Sequence, residues 1–149
     1  MFSTYLSISQ TINNVKYNVP MVLLERSFVK NFKIPYAVQE SNYSVYTLLK
    51  IEILKKEGIV LEFADNVDSS MVTQLDIIRK KLDLTEIKQW IDKENIYDQT
   101  ILIPISIKLR DFPTVPIMNL NNLMVFKNYH IDKPFILGKP IMIETWKLH

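Results

Sequence analysis

One His-x-Asp sequence could contribute ligands to a metal ion. His130 and Asp132 lie two positions apart, and Asp98 or Asp111 could supply a third ligand. Imidazole and carboxylate groups in three-ligand sets are typical of catalytic zinc sites. A loop histidine next to a turn aspartate is the simpler interpretation, so the sequence predicts neither a bound metal nor another cofactor.

A Glu-x-Lys sequence offers a second arrangement for metal-dependent hydrolysis. Glu86 and Lys88 follow Asp76 and Asp83 in the chain. In nucleases of this kind, carboxylates hold the cation and a lysine lies near the attacking water. Here the sequence falls on a predicted helix, where pairing of surface charges explains it more simply. A small metal-dependent nuclease or hydrolase therefore remains an alternative only.

A serine nucleophile would need a base and an orienting carboxylate beside it. Ser70 or Ser106 could be combined with His130 and Asp132. Neither serine lies in a glycine-bearing turn that would expose its hydroxyl. The sequence therefore predicts no catalytic residue.

Two groups of basic residues could contact the phosphates of a nucleic acid. The first group is interleaved with aromatic residues and comprises Lys16, Arg26, Lys30 and Lys33. The second is the densest basic cluster and comprises Arg79, Lys80 and Lys81, followed by Lys88 and Lys93. Surfaces that follow a phosphate backbone combine basic excess with stacking rings. The aromatics of the first group have core spacing and acidic residues dilute the second, so nucleic-acid binding is an alternative.

The composition excludes many classes of enzyme. The chain has 149 residues, 48% of them hydrophobic and 23% charged, which is ordinary for a globular protein. The absence of cysteine excludes disulfides, thiol nucleophiles and cysteine-bound zinc or iron–sulfur clusters. The two glycines, Gly58 and Gly138, are too far apart to form a P-loop or a dinucleotide fingerprint.

Charge and hydropathy bear on partners and location. Residues 1–36 carry a net charge of +3, residues 37–100 carry −4 and residues 101–149 carry +3, which together give +2. An acidic middle between basic ends can favour docking to partners of either sign, although a chance distribution of solvated surface charge is the simpler interpretation. No secretory signal and no apolar run of membrane-spanning length is evident, so we expect a cytoplasmic protein without a membrane partner.

Hydrophobic periodicity predicts an α+β fold. Helices are expected over residues 20–31, 41–57, 68–82 and 83–95. Strands are expected in a hairpin over residues 3–19, and then over 32–38, 59–63, 101–109, 123–126, 135–137 and 141–146, with a loop over 111–122. This order gives an N-terminal hairpin–helix–strand unit, central helices and a mostly antiparallel C-terminal β region. Residues 1–149 form either one compact domain or three units, 1–64, 65–98 and 99–149.

The strongest strand signal is a run of isoleucines at every second position. Pro104 interrupts this run, which predicts an edge strand or a bulge. An edge strand that presents Ile103, Ile105 and Ile107 would invite pairing with a partner chain or a second copy. Trp90 and Trp146 are further candidate anchors of such a contact.

One segment resembles a known family. Residues 15–34 read VKYNVPMVLLERSFVKNFKI, with Val19-Pro20 at a helix head, Leu23 and Leu24 within the helix and Ile34 in the next strand. Over residues 15–57 the order resembles an archaeal-type GINS replication-complex subunit whose β-rich domain comes first. The helix over 42–57 would be its link to a helical domain, and Val22 stands where the family commonly has tryptophan. The resemblance implies no active site and a scaffold that bridges a helicase to other replication proteins.

The leading prediction is therefore a non-enzymatic assembly or interaction subunit that binds a protein partner or a second copy of itself. A scaffold role in a DNA-replication complex is its narrower form. Nucleic-acid binding through residues 16–33 or 79–93 is the first alternative.

Overall fold

A computed structural model of the chain describes residues 18–41, 44–110 and 123–145. The helices are α1 (Val22–Asn31), α2 (Tyr36–Glu40), α3 (Ser69–Ile78) and α4 (Thr85–Glu94), with a 3₁₀ turn (Arg79–Lys81) after α3. The strands are β1 (Val45–Leu54), β2 (Gly58–Phe63), β3 (Thr100–Leu109), β4 (Val125–Phe126), β5 (Tyr129–His130), β6 (Phe135–Leu137) and β7 (Ile141–Thr145). Helices and strands in this order confirm the predicted α+β class.

Five strands form one mixed sheet. β1 lies between β2 and β3 and is antiparallel to both. β6 and β7 both pair with the other side of β3, one after the other along its length, and both run parallel to it. The prediction of a mostly antiparallel C-terminal region is therefore wrong, because the connection after β3 returns the chain to the end at which β3 begins.

The two faces of the sheet are covered differently. The larger core lies between the helices and one face, where side chains of α1, α3 and α4 pack against the odd-numbered residues of β1 and β3. Leu48 and Leu102 lie on the other face, in a smaller core with Met124, Phe126 and Phe135. The β4–β5 hairpin thus covers part of the second face, and both hydrophobic layers depend on β1 and β3.

The predicted helix over residues 41–57 is wrong, and β1 lies there instead. Leu49, Ile51 and Ile53 of β1 are buried in the larger core, whereas Lys50 and Glu52 lie on the opposite face. β-branched residues at alternate positions favour this arrangement over a helix. The linking helix that the GINS resemblance implies over 42–57 is therefore not formed.

The predicted strand over residues 32–38 is also wrong. Pro35 has an extended backbone, with φ −60° and ψ 145°, and caps the short helix α2. Phe32 precedes it and stacks on Phe28 with ring centroids 4.9 Å apart, which anchors this connection in the core. Proline suits a helix start because its fixed φ is helical and its missing N–H would find no partner there.

β3 is a central strand, so the prediction of an edge strand is wrong. Pro104 is tolerated because of where its missing N–H would point. The carbonyl of Leu48, opposite Pro104, accepts from Ala64 N at 2.9 Å, so this pair makes no hydrogen bonds across β1 and β3. The backbone nitrogen of Pro104 therefore points to the other side of β3. It lies there between the residues that pair with β6 and those that pair with β7.

The remaining predicted elements are confirmed where the structure describes them. α1, α3 and α4 lie at the predicted helices, and β2, β3, β6 and β7 lie at the predicted strands. Of the predicted strand over 123–126, only Val125–Phe126 forms a strand, β4, and β5 was not predicted. The predicted hairpin over 3–19, apart from its last two residues, and the predicted loop over 111–122 fall outside the described residues. None of the helices in the described ranges has the length and apolar character needed to cross a membrane.

Candidate functional site

The outer side of β2 is one of the two edges of the main sheet. β2 is the terminal strand of the order β2-β1-β3, and no strand within residues 18–41, 44–110 and 123–145 pairs with its outer side. Ala64 N donates a hydrogen bond to Leu48 O, and β2 stays paired with β1 from Phe63 back to Gly58. Because backbone groups alternate along a strand, those of Val60 and Glu62 face β1.

The backbone groups of Ile59, Leu61 and Phe63 therefore point away from the sheet. We call these three residues the outer edge of β2. No hydrogen bond from a described residue reaches their outward N–H and C=O groups. An edge of this kind presents donors and acceptors in the spacing that another extended chain requires.

A cleft of about 580 Å³ lies beside this edge, on the helix-covered side of the sheet. Ile59 and Leu61 form its wall on β2, and the 3₁₀ turn and the start of α4 form the opposite wall. Its basic lining residues are Arg79, Lys80, Lys81 and Lys88, and we refer to it as the basic cleft. A smaller hollow of about 360 Å³ shares Ile59 and Lys88 with it, so the depression continues toward Gly58.

The positive charge of the basic cleft is only partly balanced. Arg79 forms an exposed ion pair with Asp76, with Nη2 3.1 Å from Oδ1. Within the described parts of the chain, no carboxylate lies within 4.0 Å of the ammonium groups of Lys80, Lys81 or Lys88. Arg79, Lys80 and Lys81 of the second predicted nucleic-acid group therefore lie in one cleft, which Lys88 joins from α4, whereas Lys93 does not line it.

Asp83 is the one acidic residue in the lining of the basic cleft. Its Oδ1 accepts a hydrogen bond from Thr85 N at 3.1 Å, at the start of α4. Hydrogen bonds from the Thr85 side chain and backbone hold the pKa of Asp83 below its ordinary value. Asp83 therefore stays ionised and directed to the start of α4, one residue before the N-cap Leu84.

The first predicted nucleic-acid group does not form a comparable site. Arg26, Lys30 and Lys33 are exposed on and after α1, and Lys16 lies outside the described residues. Phe28 and Phe32 are buried in the larger core, as their spacing predicted. Their rings therefore cannot stack on nucleic-acid bases.

A charged cluster occupies the second face of the sheet, and the sequence analysis did not find it. Nζ of Lys50 lies 2.5 Å from Oε1 of Glu62 and 3.5 Å from Oε1 of Glu52. Thr100 Oγ1 donates to Glu52 at 3.4 Å, and Nζ of Lys127 lies 3.5 Å from Oε2 of Glu62. These side chains come from four separate segments, so only the sheet register brings them together.

The cluster is structural in character. Two cations and two carboxylates balance one another, and Lys50 lies 5.0 Å from the centre of the Phe126 ring, where a cation–π contact forms. Oε2 of Glu62 is buried and accepts no hydrogen bond from a described residue. The arrangement links β1 and β2 to the β4–β5 hairpin that lies over them.

The candidate metal ligands do not form a three-ligand site within the described residues. His130 and Asp132 are exposed in and after β5, Asp98 lies before β3, and Asp111 is outside the described residues. No group of three histidine, aspartate or glutamate side chains suited to a metal exists in the described residues. Among the predicted nuclease residues, Asp76 is held by Arg79 and Asp83 by Thr85.

The serines likewise have local roles. The Ser70 hydroxyl donates to Asp68, which caps α3. Ser106 is half-buried on β3, opposite Tyr46 of β1 and Met142 of β7. Neither lies near His130 in sequence or in strand pairing.

The predicted interaction residues are mostly not on an open surface. Ile103, Ile105 and Ile107 are buried in the larger core, because β3 is central and their face is covered by helices. Trp90 is half-buried on α4 and packs against that core. Trp146 lies outside the described residues.

No protein-family model matches this chain, and neither a curated protein nor a solved structure matches it. The GINS resemblance therefore stays a prediction. A functional assignment rests on the geometry and chemistry of the chain itself.

Proposed function

We propose that this chain is a non-enzymatic interaction module that accepts an extended segment of a partner protein on the outer edge of β2. The observation that carries the proposal is the run of outward backbone groups at Ile59, Leu61 and Phe63, next to the basic cleft. Strand addition of this kind draws affinity from main-chain hydrogen bonds and specificity from neighbouring side-chain pockets.

The sequence of β2 supports this proposal. Edges that must stay unpaired usually carry lysine, proline or a bulge. β2 reads GIVLEF and pairs with β1 without a break in register from Leu49–Phe63 to Leu54–Gly58. Its one charged residue, Glu62, is engaged by Lys50 on the second face of the sheet. β2 therefore carries none of these protective features, and no described residue pairs with its outer edge.

Hydrogen exchange provides the first test. In the free full-length chain, the amides of Ile59 and Leu61 should exchange much faster than those of Val60 and Glu62, which face β1. Equally slow exchange at both sets would show that the edge is already paired, by another part of this chain or by a second copy, and would overturn the proposal.

Selection from a displayed random-peptide library provides the second test. Peptides selected on the full-length chain should lose binding to Ile59→Pro, which removes one outward N–H group from the edge and leaves the hydrogen bonds between β2 and β1 in place. Ile59→Ala is the matched control, because it shortens the same half-buried side chain but keeps that N–H group. Peptides that bind both variants equally well would contradict strand addition at this edge.

Nucleic-acid binding is a second candidate function, favoured by the collection of Arg79, Lys80, Lys81 and Lys88 in one cleft. Such binding should weaken steeply as salt rises, because phosphate contacts release counterions. A shift assay with single-stranded DNA and RNA at low salt tests it, and an unshifted probe would eliminate it.

The GINS resemblance would make the partner a sister subunit of a replication complex. This narrower role stays a prediction. Binding of peptides derived from helicase or replication subunits at the outer edge of β2 would support it, whereas their failure to compete with library-selected peptides would contradict it.

A further inference from the structure

We infer that the segment accepted at the outer edge of β2 is acidic, with Asp or Glu at every second position. This inference rests on the proposed function and adds the chemistry of the partner. It follows from how the basic cleft lies relative to the strand that would be added.

The basic cleft lies on one face of the sheet, beside the outer edge of β2. Successive side chains of a strand point to opposite faces of a sheet. Ile59 and Leu61 point to the face on which the basic cleft lies, and Val60 and Glu62 point to the other. Every second residue of an added strand would therefore lie over the cleft, and the residues between them would lie beside Val60 and Glu62.

The lining of the basic cleft carries an excess of positive charge. Four basic side chains line the cleft against one carboxylate, that of Asp83, which is engaged by Thr85. Within the described ranges, Lys80, Lys81 and Lys88 have no carboxylate partner. Acidic side chains over the cleft would complement this charge, raise the association rate and disfavour basic segments.

The lining of the basic cleft suits a peptide better than a nucleic acid. Proteins that hold single strands combine basic grooves with aromatic rings on which bases stack. None of the described residues that line the basic cleft is aromatic, and Ile59, Leu61, Leu82 and Leu84 give it an aliphatic floor. Aliphatic walls beside outward backbone groups suit an extended polypeptide better than a base.

The experiment uses the full-length chain and a labelled peptide of sequence Glu-Val-Glu-Val-Glu-Val-Glu-Val. Fluorescence anisotropy should show saturable binding that weakens with salt, and amide exchange at Ile59 and Leu61 should slow in its presence. The Lys-Val analogue and a block peptide, Glu-Glu-Glu-Glu-Val-Val-Val-Val, should bind at least about tenfold more weakly. Equal binding of the Lys-Val analogue would overturn the inference.

Charge removal in the cleft provides the matched comparison. The double variant Lys80→Gln/Lys88→Gln should weaken binding of the alternating acidic peptide about tenfold, since each exposed pair contributes up to about 1 kcal/mol. Lys56→Gln/Lys93→Gln removes the same charge from exposed positions that do not line the cleft, and it should leave binding within about twofold. Equal losses in both variants would show that only the overall charge matters and would overturn the inference.

The outcomes separate this inference from the proposed function. If library peptides depend on Ile59 but carry no alternating acids, the proposed function stands and the acidic partner is wrong. If no peptide depends on Ile59, both are wrong. If oligothymidylate binds more tightly than the acidic peptide and loses binding in Lys80→Gln/Lys88→Gln, the cleft serves a nucleic acid and the inference is overturned.

Discussion

Lys50 and Glu62 face each other across β1 and β2, with the ammonium nitrogen 2.5 Å from a carboxylate oxygen. Their side chains are only 12% and 15% exposed. Both approach the β4–β5 hairpin, Lys50 through the Phe126 ring and Glu62 through Lys127. The pair therefore joins the edge strand to the layer that covers the second face of the sheet.

Replacing Lys50 with methionine should destabilise the protein by about 3 kcal/mol. The change leaves the carboxylates of Glu62 and Glu52 close together in a largely dry site without their shared cation. Urea denaturation followed by circular dichroism measures the loss in free energy of unfolding.

The double variant Lys50→Met/Glu62→Met should recover part of that loss, because it removes one of the two carboxylates that lose their shared cation. Arg79→Met breaks the exposed pair with Asp76 and serves as control, with an expected change below about 1 kcal/mol. A Lys50→Met change as small as that of Arg79→Met would mean that the cluster is solvated.

Asp65 holds the turn of the β4–β5 hairpin. Its two carboxylate oxygens accept hydrogen bonds from the N–H groups of Lys127 and Asn128, both at 2.8 Å. Both turn residues have positive φ, 48° and 66°, as a two-residue type I′ hairpin turn requires. Lysine does not favour this conformation, so the carboxylate stabilises a turn that the sequence alone would not select.

Asp65→Ala should therefore destabilise the protein by about 1–2 kcal/mol and speed amide exchange at Lys127 and Asn128. Asp132→Ala, at an exposed position shortly after the hairpin, should change stability by less than about 0.5 kcal/mol. Equal exchange rates at the turn in both variants would rule out this role of Asp65.

Asp68 makes part of the stability depend on pH. Its carboxylate accepts hydrogen bonds from Ser70 N at 2.9 Å and Met71 N at 3.2 Å at the start of α3. The Ser70 hydroxyl, with these two N–H groups, lowers the pKa of Asp68 in the folded protein. The stabilisation is thus complete above the unfolded pKa of about 3.9 and is lost as pH falls through the lowered folded pKa.

Asp68→Ala should cost about 1 kcal/mol at pH 7 and less at pH 2. Asp68→Asn keeps a good cap without an ionisable group, so it should preserve most of the stability at pH 7 and flatten the acid dependence. Denaturation midpoints across this range provide the measurement. A constant difference between wild type and Asp68→Ala at all pH values would contradict the assignment.

Gly138 allows close approach of the chain to β3. A Cβ atom at this position would lie 2.9 Å from Cγ1 of Ile103, and Gly138 N donates to Leu102 O at 2.8 Å. Gly138→Ala should destabilise the protein by about 1–3 kcal/mol through overpacking. Combined with Ile103→Ala, which removes the opposing atom, it should cost less than the sum of the two single changes in thermal denaturation. Strict additivity would show that the two positions do not touch.

A helix was predicted where β1 lies because the apolar residues of β1 also fit a helical spacing. Val45, Leu49 and Ile53 are spaced by four, which satisfies a helix, but an even spacing also keeps residues on one face of a strand. Ile51 lies between Leu49 and Ile53 and is equally buried, so buried residues recur at every second position, which is the pattern of a strand and not of a helix. α3, by contrast, was predicted well because Asp68 marks its start and its apolar spacings include three and seven.

The sites were harder to predict than the elements. Lys50, Glu62 and Lys127 meet only through the register of β1 and β2 and the placement of the hairpin, which no local pattern encodes. The outer edge of β2 was missed because Pro104 suggested that β3 was the edge instead. Pairing order depends on long-range packing, whereas the cluster of Arg79, Lys80 and Lys81 could be found directly, since it is contiguous in sequence.

Because β3 lies in the middle of the sheet, its two neighbours become available to pair with it at different times during synthesis. β3 can pair with β1 as soon as it emerges from the ribosome, but its other flank waits for β6 and β7, which are made later. Until residues 135–145 arrive, one side of an isoleucine-rich strand lies open to neighbouring nascent chains. An open strand flank of this kind favours aggregation of newly made chains until β6 and β7 are added.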